Sequence, residues 1–130
     1  MSNSSVVTVP AKAEDGVKSG VTVSRDDVFT VSGSGRAAYG RDSTTYPDGT
    51  RYIDGKYAGA YMKAEGVVPG APIGTLIVRV GSGPWFAAGS AQTFRALEDG
   101  EVIVAYNDWP GKYGDNSGEY VATVENHGSI

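Results

Sequence analysis

No stretch of this 130-residue chain runs far without an interruption. Glycine, proline or an acidic turn pair recurs about every eight to twelve residues, a cadence that leaves room for strands and none for long helices. Between the breaks lie short runs dense in β-branched and aromatic residues: Val6-Val7-Thr8-Val9, Val21-Thr22-Val23 and Val28-Phe29-Thr30-Val31. Further along come Ile73-Gly74-Thr75-Leu76-Ile77-Val78-Arg79-Val80, Trp85-Phe86-Ala87, Gln92-Thr93-Phe94-Arg95-Ala96, Val102-Ile103-Val104-Ala105 and Glu119-Tyr120-Val121-Ala122-Thr123-Val124. Residues 58–64 also read as a strand. Alternation with period two places one face of each run inward. The expected fold is all-β, an antiparallel, jelly-roll-like β-sandwich, with residues 1–130 as one domain.

The longest interruption with chemistry in it lies between the last two runs. Asn107-Asp108-Trp109-Pro110-Gly111-Lys112-Tyr113-Gly114-Asp115-Asn116-Ser117-Gly118 holds three short oxygen-bearing side chains at Asp108, Asp115 and Asn116, with three glycines and one proline. A hard cation such as Ca²⁺ takes about six to eight oxygens from carboxylates, amides and backbone carbonyls. Glycine lets the backbone turn its carbonyls toward such an ion. The same composition equally suits an ordinary surface turn, and the spacing is not that of an EF-hand.

Other stretches carry less. Asp26 and Asp27 form an acidic pair best read as a solvated turn. Gly33-Ser34-Gly35 has neither the strand–loop–helix setting nor the lysine of a phosphate loop. Residues 41–56 read as a long polar loop, a length that usually signals function or disorder. The lone histidine, His127, stands three residues from the C-terminus, where fraying is expected. A Ser-His-Asp triad therefore has no histidine held by packing. Asp108 and Asp115 are better placed to collect charge for a cation than to flank a glycosidic bond. Zinc, which prefers histidine and cysteine, is disfavoured. The chain reads as a binding protein, not an enzyme.

Charge and cysteine narrow the partners. A net charge of -4 is the wrong sign for nucleic acid or anionic membrane. The chain has no cysteine, so disulfides and thiolate sites are absent. No run is long and apolar enough for membrane insertion. The N-terminus lacks a secretory signal pattern, so cytoplasmic synthesis is expected, with any extracellular role requiring release by another route.

The loop Tyr106-Asn107-Asp108-Trp109-Pro110-Gly111-Lys112-Tyr113-Gly114-Asp115-Asn116-Ser117-Gly118 resembles the calcium and sugar loop of the PA-IL (LecA) family of bacterial galactose-binding lectins. Val9-Pro10-Ala11 with Ala13-Glu14-Asp15-Gly16 resembles the family's opening strand and turn. Ala38-Tyr39-Gly40-Arg41-Asp42 resembles its tyrosine loop, and Tyr46-Pro47-Asp48-Gly49 its sugar-contacting His-Pro-Asp segment. The resemblance implies Ca²⁺ held by the side chains of Asp108, Asp115 and Asn116 and the carbonyls of Tyr39 and Lys112. It implies a galactose-containing glycan bound through an ion-bridged diol, contacted by Tyr39, Tyr46, Pro47, Asp108, Trp109, Lys112 and Asp115. It also implies a homo-oligomer, tetramer or dimer, in which weak sites gain avidity.

Against the family pattern, Asp115 replaces an asparagine, Tyr46 a histidine, Gly49 a glutamine and Trp109 a small aliphatic residue. Trp109 suits stacking on a sugar or aglycone, capping of the loop, or a subunit contact. Two other functions stay open on sequence: a structural Ca²⁺ module that has lost or altered its sugar specificity, and an adhesion or interaction module.

Overall fold

The structure is a computed structural model that describes residues 3–40 and 43–129. Eleven strands follow in chain order: β1 (Ser4–Pro10), β2 (Val17–Val23), β3 (Asp27–Ala38), β4 (Ser43–Thr45), β5 (Arg51–Ile53) and β6 (Lys56–Tyr57). After a long connection come β7 (Leu76–Val80), β8 (Phe86–Ala87), β9 (Ala91–Arg95), β10 (Gly100–Tyr106) and β11 (Ser117–Ser129). They make two antiparallel sheets. One runs β1-β11-β3-β4-β5-β6, with β9 also paired to β3; the other runs β2-β10-β7-β8.

The sandwich closes because each sheet has one apolar face. Along β11 Tyr120, Ala122 and Val124 are buried while Glu119, Val121 and Glu125 are exposed, the alternation that a half-buried strand requires. They meet Val9, Phe29 and Val31 of the same sheet and Val21, Val23, Leu76, Val78, Val102 and Val104 of the other in one cluster. Burying each of the larger side chains contributes about 1.5–3 kcal/mol. The expected all-β sandwich is what forms, and no helix among the described residues is long and apolar enough to cross a membrane.

Three expectations change, and one stretch left unassigned finds its place. Gly33-Ser34-Gly35, which lacked the setting of a phosphate loop, is the middle of the twelve-residue β3. A Cβ at Gly33 would sit 2.6 Å from Leu76 Cδ2, so glycine there lets the two sheets approach. The supposed loop at 41–56 contains the short strands β4, β5 and β6, while Arg41 and Asp42 lie outside the described residues. Residues 58–64, expected as a strand, make only the isolated bridge Met62 to Pro72. β11 carries on to Ser129, so His127 belongs to a strand, its exposed ring bonded to Thr30 Oγ1 at 2.9 Å. The Asp26-Asp27 turn stands: Asp26 has φ 74 and Asp27 accepts the Ser24 N–H at 2.9 Å.

At one end of the sandwich a buried hydrogen-bond chain joins both sheets. Tyr106 OH lies 2.8 Å from Thr45 Oγ1, which lies 2.8 Å from Tyr120 OH, which donates to the Gly74 carbonyl at 2.7 Å. The Gly74 carbonyl can only accept, so Tyr120 donates to it; Thr45 then gives its one proton to Tyr120 in preference to the Ala37 carbonyl, which stands farther off at 3.3 Å, and accepts from Tyr106. Burial pushes both tyrosines' pKa values up, so they stay neutral donors. Gly74, at φ +94, has no room for a side chain: a Cβ would lie 2.7 Å from Thr45. This end carries the loop between β10 and β11.

Candidate functional site

β10 delivers Tyr106 into the core, and the chain then leaves the sheet. Tyr113, in the short 3₁₀ turn Tyr113–Asp115, folds back and ties the loop to its own beginning. Its hydroxyl donates to the Tyr106 carbonyl at 2.8 Å and accepts the Asp108 N–H at 3.2 Å. Glu14, in the turn after β1, adds a second tie: its two carboxylate oxygens each lie 3.2 Å from the Gly111 N–H. The loop is thus held at both ends before any ligand is considered.

Inside it, Asp108 is 6% exposed and its Oδ1 accepts the Trp109 N–H at 2.8 Å. No described cation pairs with it. Burial pushes its carboxyl pKa up; the Trp109 N–H and Asn116 amide pull it down, and the Asp115 and Glu14 charges push it up again. Asn116 is 0% exposed, and its Nδ2 donates to the Ala11 carbonyl at 2.9 Å. Its Oδ1, equally buried, has no hydrogen-bond partner. An orphaned buried amide oxygen costs about 1–3 kcal/mol. Beside a nearly buried carboxylate, it is an oxygen pair that a cation would satisfy.

The donor set fits a hard cation and not a softer one. Among the described residues no three of histidine, cysteine, aspartate and glutamate come close enough to hold a metal. What lies together is side-chain oxygen: the Asp108 and Asp115 carboxylates, with the Asn116 amide beside Asp108. The Tyr39 carbonyl also accepts the Ser43 hydroxyl, which leaves it a second lone pair. Asp115 reaches the tyrosine loop, its Oδ2 lying 3.6 Å from where a Cβ on Gly40 would stand.

Above this floor opens a shallow cleft of about 400 Å³, lined by Tyr39, Gly40, Tyr61, Asp108, Trp109, Lys112 and Asp115. Five residues singled out in the sequence, Tyr39, Asp108, Trp109, Lys112 and Asp115, therefore share one cavity, with Asn116 buried at its base. Tyr46 and Pro47 do not join them. They line a separate cleft of about 450 Å³ with Ser34, Gly35, Asp48, Thr50, Tyr52 and Ser90. The cause is local. The Tyr46-Pro47-Asp48-Gly49 turn links β4 to β5, closed by the Gly49 N–H on the Tyr46 carbonyl at 2.8 Å. The Pro47 carbonyl accepts from Leu76 N–H at 2.9 Å, which fixes the turn over β3 and away from the cation loop. Tyr46→His is accordingly expected to leave both calcium and sugar affinities unchanged; calorimetry showing a shift in either would return Tyr46 to the site.

Tyr61, not noticed in the sequence, forms part of the wall of this cleft, and Lys63, also not noticed, lies against that wall. The Tyr61 ring stacks on Tyr39 with centroids 5.3 Å apart. Arg51 lies behind, 5.1 Å from the Tyr61 ring, donating to Tyr39 OH at 3.0 Å and to the Ala58 carbonyl at 3.0 Å. Lys63 Nζ stands 5.3 Å from the Tyr61 ring and 5.2 Å from the Trp109 ring. The one available sequence signal was the density of Gly59, Gly66, Pro69, Gly70 and Pro72 around them, which argues for an irregular segment.

The fold and site are thus a β-sandwich with an acidic, glycine-rich loop beneath an aromatic-walled cleft. A family model described as PA-IL-like protein matches residues 5–129, and the chain belongs to that family. Lectin A of Photorhabdus laumondii subsp. laumondii is 33% identical over 122 residues, covering 90% of this chain and 87% of that one. The solved EclA N-terminal domain, a PllA-like lectin, superposes with a TM-score of 0.75 at 22% identity, covering 96% of this chain and 98% of that one. The named relatives are lectins, so this is a lectin family and not an enzyme family.

Proposed function

We propose that this protein is a calcium-dependent lectin for terminal galactosides. The observation that carries the reading is the uncompensated pair at the base of the cleft, the nearly buried Asp108 carboxylate beside the unpartnered Asn116 Oδ1. Asp108, Asp115 and Asn116 side chains with the Tyr39 and Lys112 carbonyls would hold the ion. A calcium ion held there would supply Lewis-acid attraction for two neighbouring sugar hydroxyls. Asp108 and Asp115 would accept hydrogen bonds from those hydroxyls, which orients the sugar. Tyr39, Tyr61 and Trp109 give the cleft an aromatic wall against which the apolar patch of a pyranose would pack. The preference for galactose rests on the family loop, which suits the axial–equatorial diol at positions three and four. The reading extends to a homo-oligomer, tetramer or dimer.

Titration with methyl galactoside and methyl glucoside, in calcium and in EDTA, tests it. Binding of the galactoside alone, abolished by EDTA, is expected. Equal binding of both sugars, or binding that survives EDTA, would overturn it. Calcium stabilisation without any sugar binding would leave the structural-module function in its place.

A further inference from the structure

Lys63 is an uncommitted charge at a fixed place. Its half-buried side chain is held between the Tyr61 and Trp109 rings at 5.3 and 5.2 Å, the two rings that wall the cleft. Each such cation–π contact contributes about 0.5–1 kcal/mol, which orders the ammonium without neutralising it. Among the described residues the ion pair is Arg95 with Asp26, far along the chain; Lys63, Lys112 and Arg51 have none. Arg51 is fixed behind Tyr61 and Tyr39 by its two hydrogen bonds, and Lys112 lines the cleft. On the acidic side, Asp108 and Asp115 line the cleft, and the charges of Glu14 and Asp15 lie close to the same loop. A divalent cation held in the loop would compensate the two aspartates, leaving Lys63, Lys112 and Arg51 against Glu14 and Asp15 among the described residues nearby. A neutral sugar would make no use of that field.

We infer that Lys63 turns this cleft toward anionic galactosides: ligands that keep the galactose 3,4-diol and carry a carboxylate or sulfate ester on the same ring. The inference rests on the galactoside reading above. Lys63 is the specificity-determining group because it is the cation ordered between two rings that wall the cleft, whereas the Arg51 guanidinium is tied to Tyr39 OH and the Ala58 carbonyl.

Calorimetry in calcium with methyl galactoside, methyl galacturonide, galactose 6-sulfate and methyl glucuronide tests it on wild type, Lys63→Met and Lys63→Arg. Wild type is expected to bind one or both anionic galactosides about fivefold more tightly than the neutral one, the yield of a partly exposed charge pair. The two arms separate a carboxylate from a sulfate partner. The ratio should fall to about one in Lys63→Met, persist in Lys63→Arg, and shrink in 0.5 M salt by screening. Glucuronide should not bind, since charge without the diol is insufficient. Equal affinities for neutral and anionic galactosides in wild type, or a preference that Lys63→Met retains, would overturn the assignment while the galactoside reading stands. Failure of all the galactosides to bind would overturn both.

Discussion

Asp108→Asn is expected to abolish calcium-dependent sugar binding while leaving the metal-free protein at least as stable as wild type at neutral pH. The two halves have one cause. The carboxylate is nearly buried, without a cationic partner, and near the like charges of Asp115 and Glu14. An amide of the same shape still accepts the Trp109 N–H on Oδ1, and no longer carries an uncompensated charge into the protein. As an ion ligand it is poor. Loss of even a supporting residue around a metal costs about 10–100-fold in affinity, and loss of a direct carboxylate ligand should cost about 100-fold or more. In wild type, calcium at a hundred times its dissociation constant adds about 2.7 kcal/mol by mass action, a rise of roughly 10 °C in a domain of this size. The variant should lose most of that rise.

The sign of the pH dependence follows from the same group. Asp108's folded pKa is raised, chiefly by burial, so the ion-free folded state binds its proton more tightly than the unfolded chain does. The contribution of Asp108 to stability in EDTA is therefore greatest below the ordinary carboxylate value and falls as pH climbs through the raised one. Calcium competes with that proton, so its stabilisation grows over the same window. Thermal melts from pH 4 to 7, with and without EDTA, check both variant and wild type. A calcium response retained in Asp108→Asn would remove Asp108 from the ion site.

Strand positions were legible because their cause is local. β-branched alternation in β1, β2, β7, β10 and β11 reports which face each residue presents, whatever the partner strand. Gly33 could not be explained from sequence because its reason is distant: glycine there answers to Leu76 across the sandwich, a contact no local pattern announces. The clustering of Asp108, Asp115 and Asn116 was legible for the opposite reason, since the three sit within nine residues of one another in sequence. The wall of the cleft was not. Tyr46-Pro47 has the local chemistry of a sugar-contacting segment, yet its turn is fixed over β3. Tyr61 and Lys63 reach the cleft only because the segment from 58 to 75 folds across the end of the sandwich. Nothing near them in sequence states that it does.

What holds that segment is Asn107, and Asn107→Leu is expected to cost about 3–5 kcal/mol, at the severe end for a single substitution. The residue is 0% exposed. Its Nδ2 faces the carbonyls of Val68, Ala71 and Pro72 at 3.2, 3.2 and 3.0 Å, and its Oδ1 accepts the Val68 N–H at 2.9 Å. Its backbone bonds to Gly74 N–H at 2.8 Å and Thr75 carbonyl at 3.0 Å persist in any variant. Leucine matches the volume and strands the rest, so the loss is of satisfied polar groups and not of packing. A melting temperature lower by roughly 12–20 °C is the expected reading. The consequence reaches the site although Asn107 does not line the cleft. Its neighbour Asp108 accepts the Val67 N–H at 3.0 Å, and Tyr61 accepts the Ile73 N–H at 2.8 Å, so the wall bearing Tyr61 and Lys63 is fastened through the same segment. Well below its melting temperature, Asn107→Leu should therefore bind galactosides more weakly while its folded core keeps the far-ultraviolet spectrum of the sandwich. Wild-type stability in this variant would show that the 67–75 segment is held by something other than this amide. Wild-type sugar affinity would show that Tyr61 and Lys63 keep their places without it.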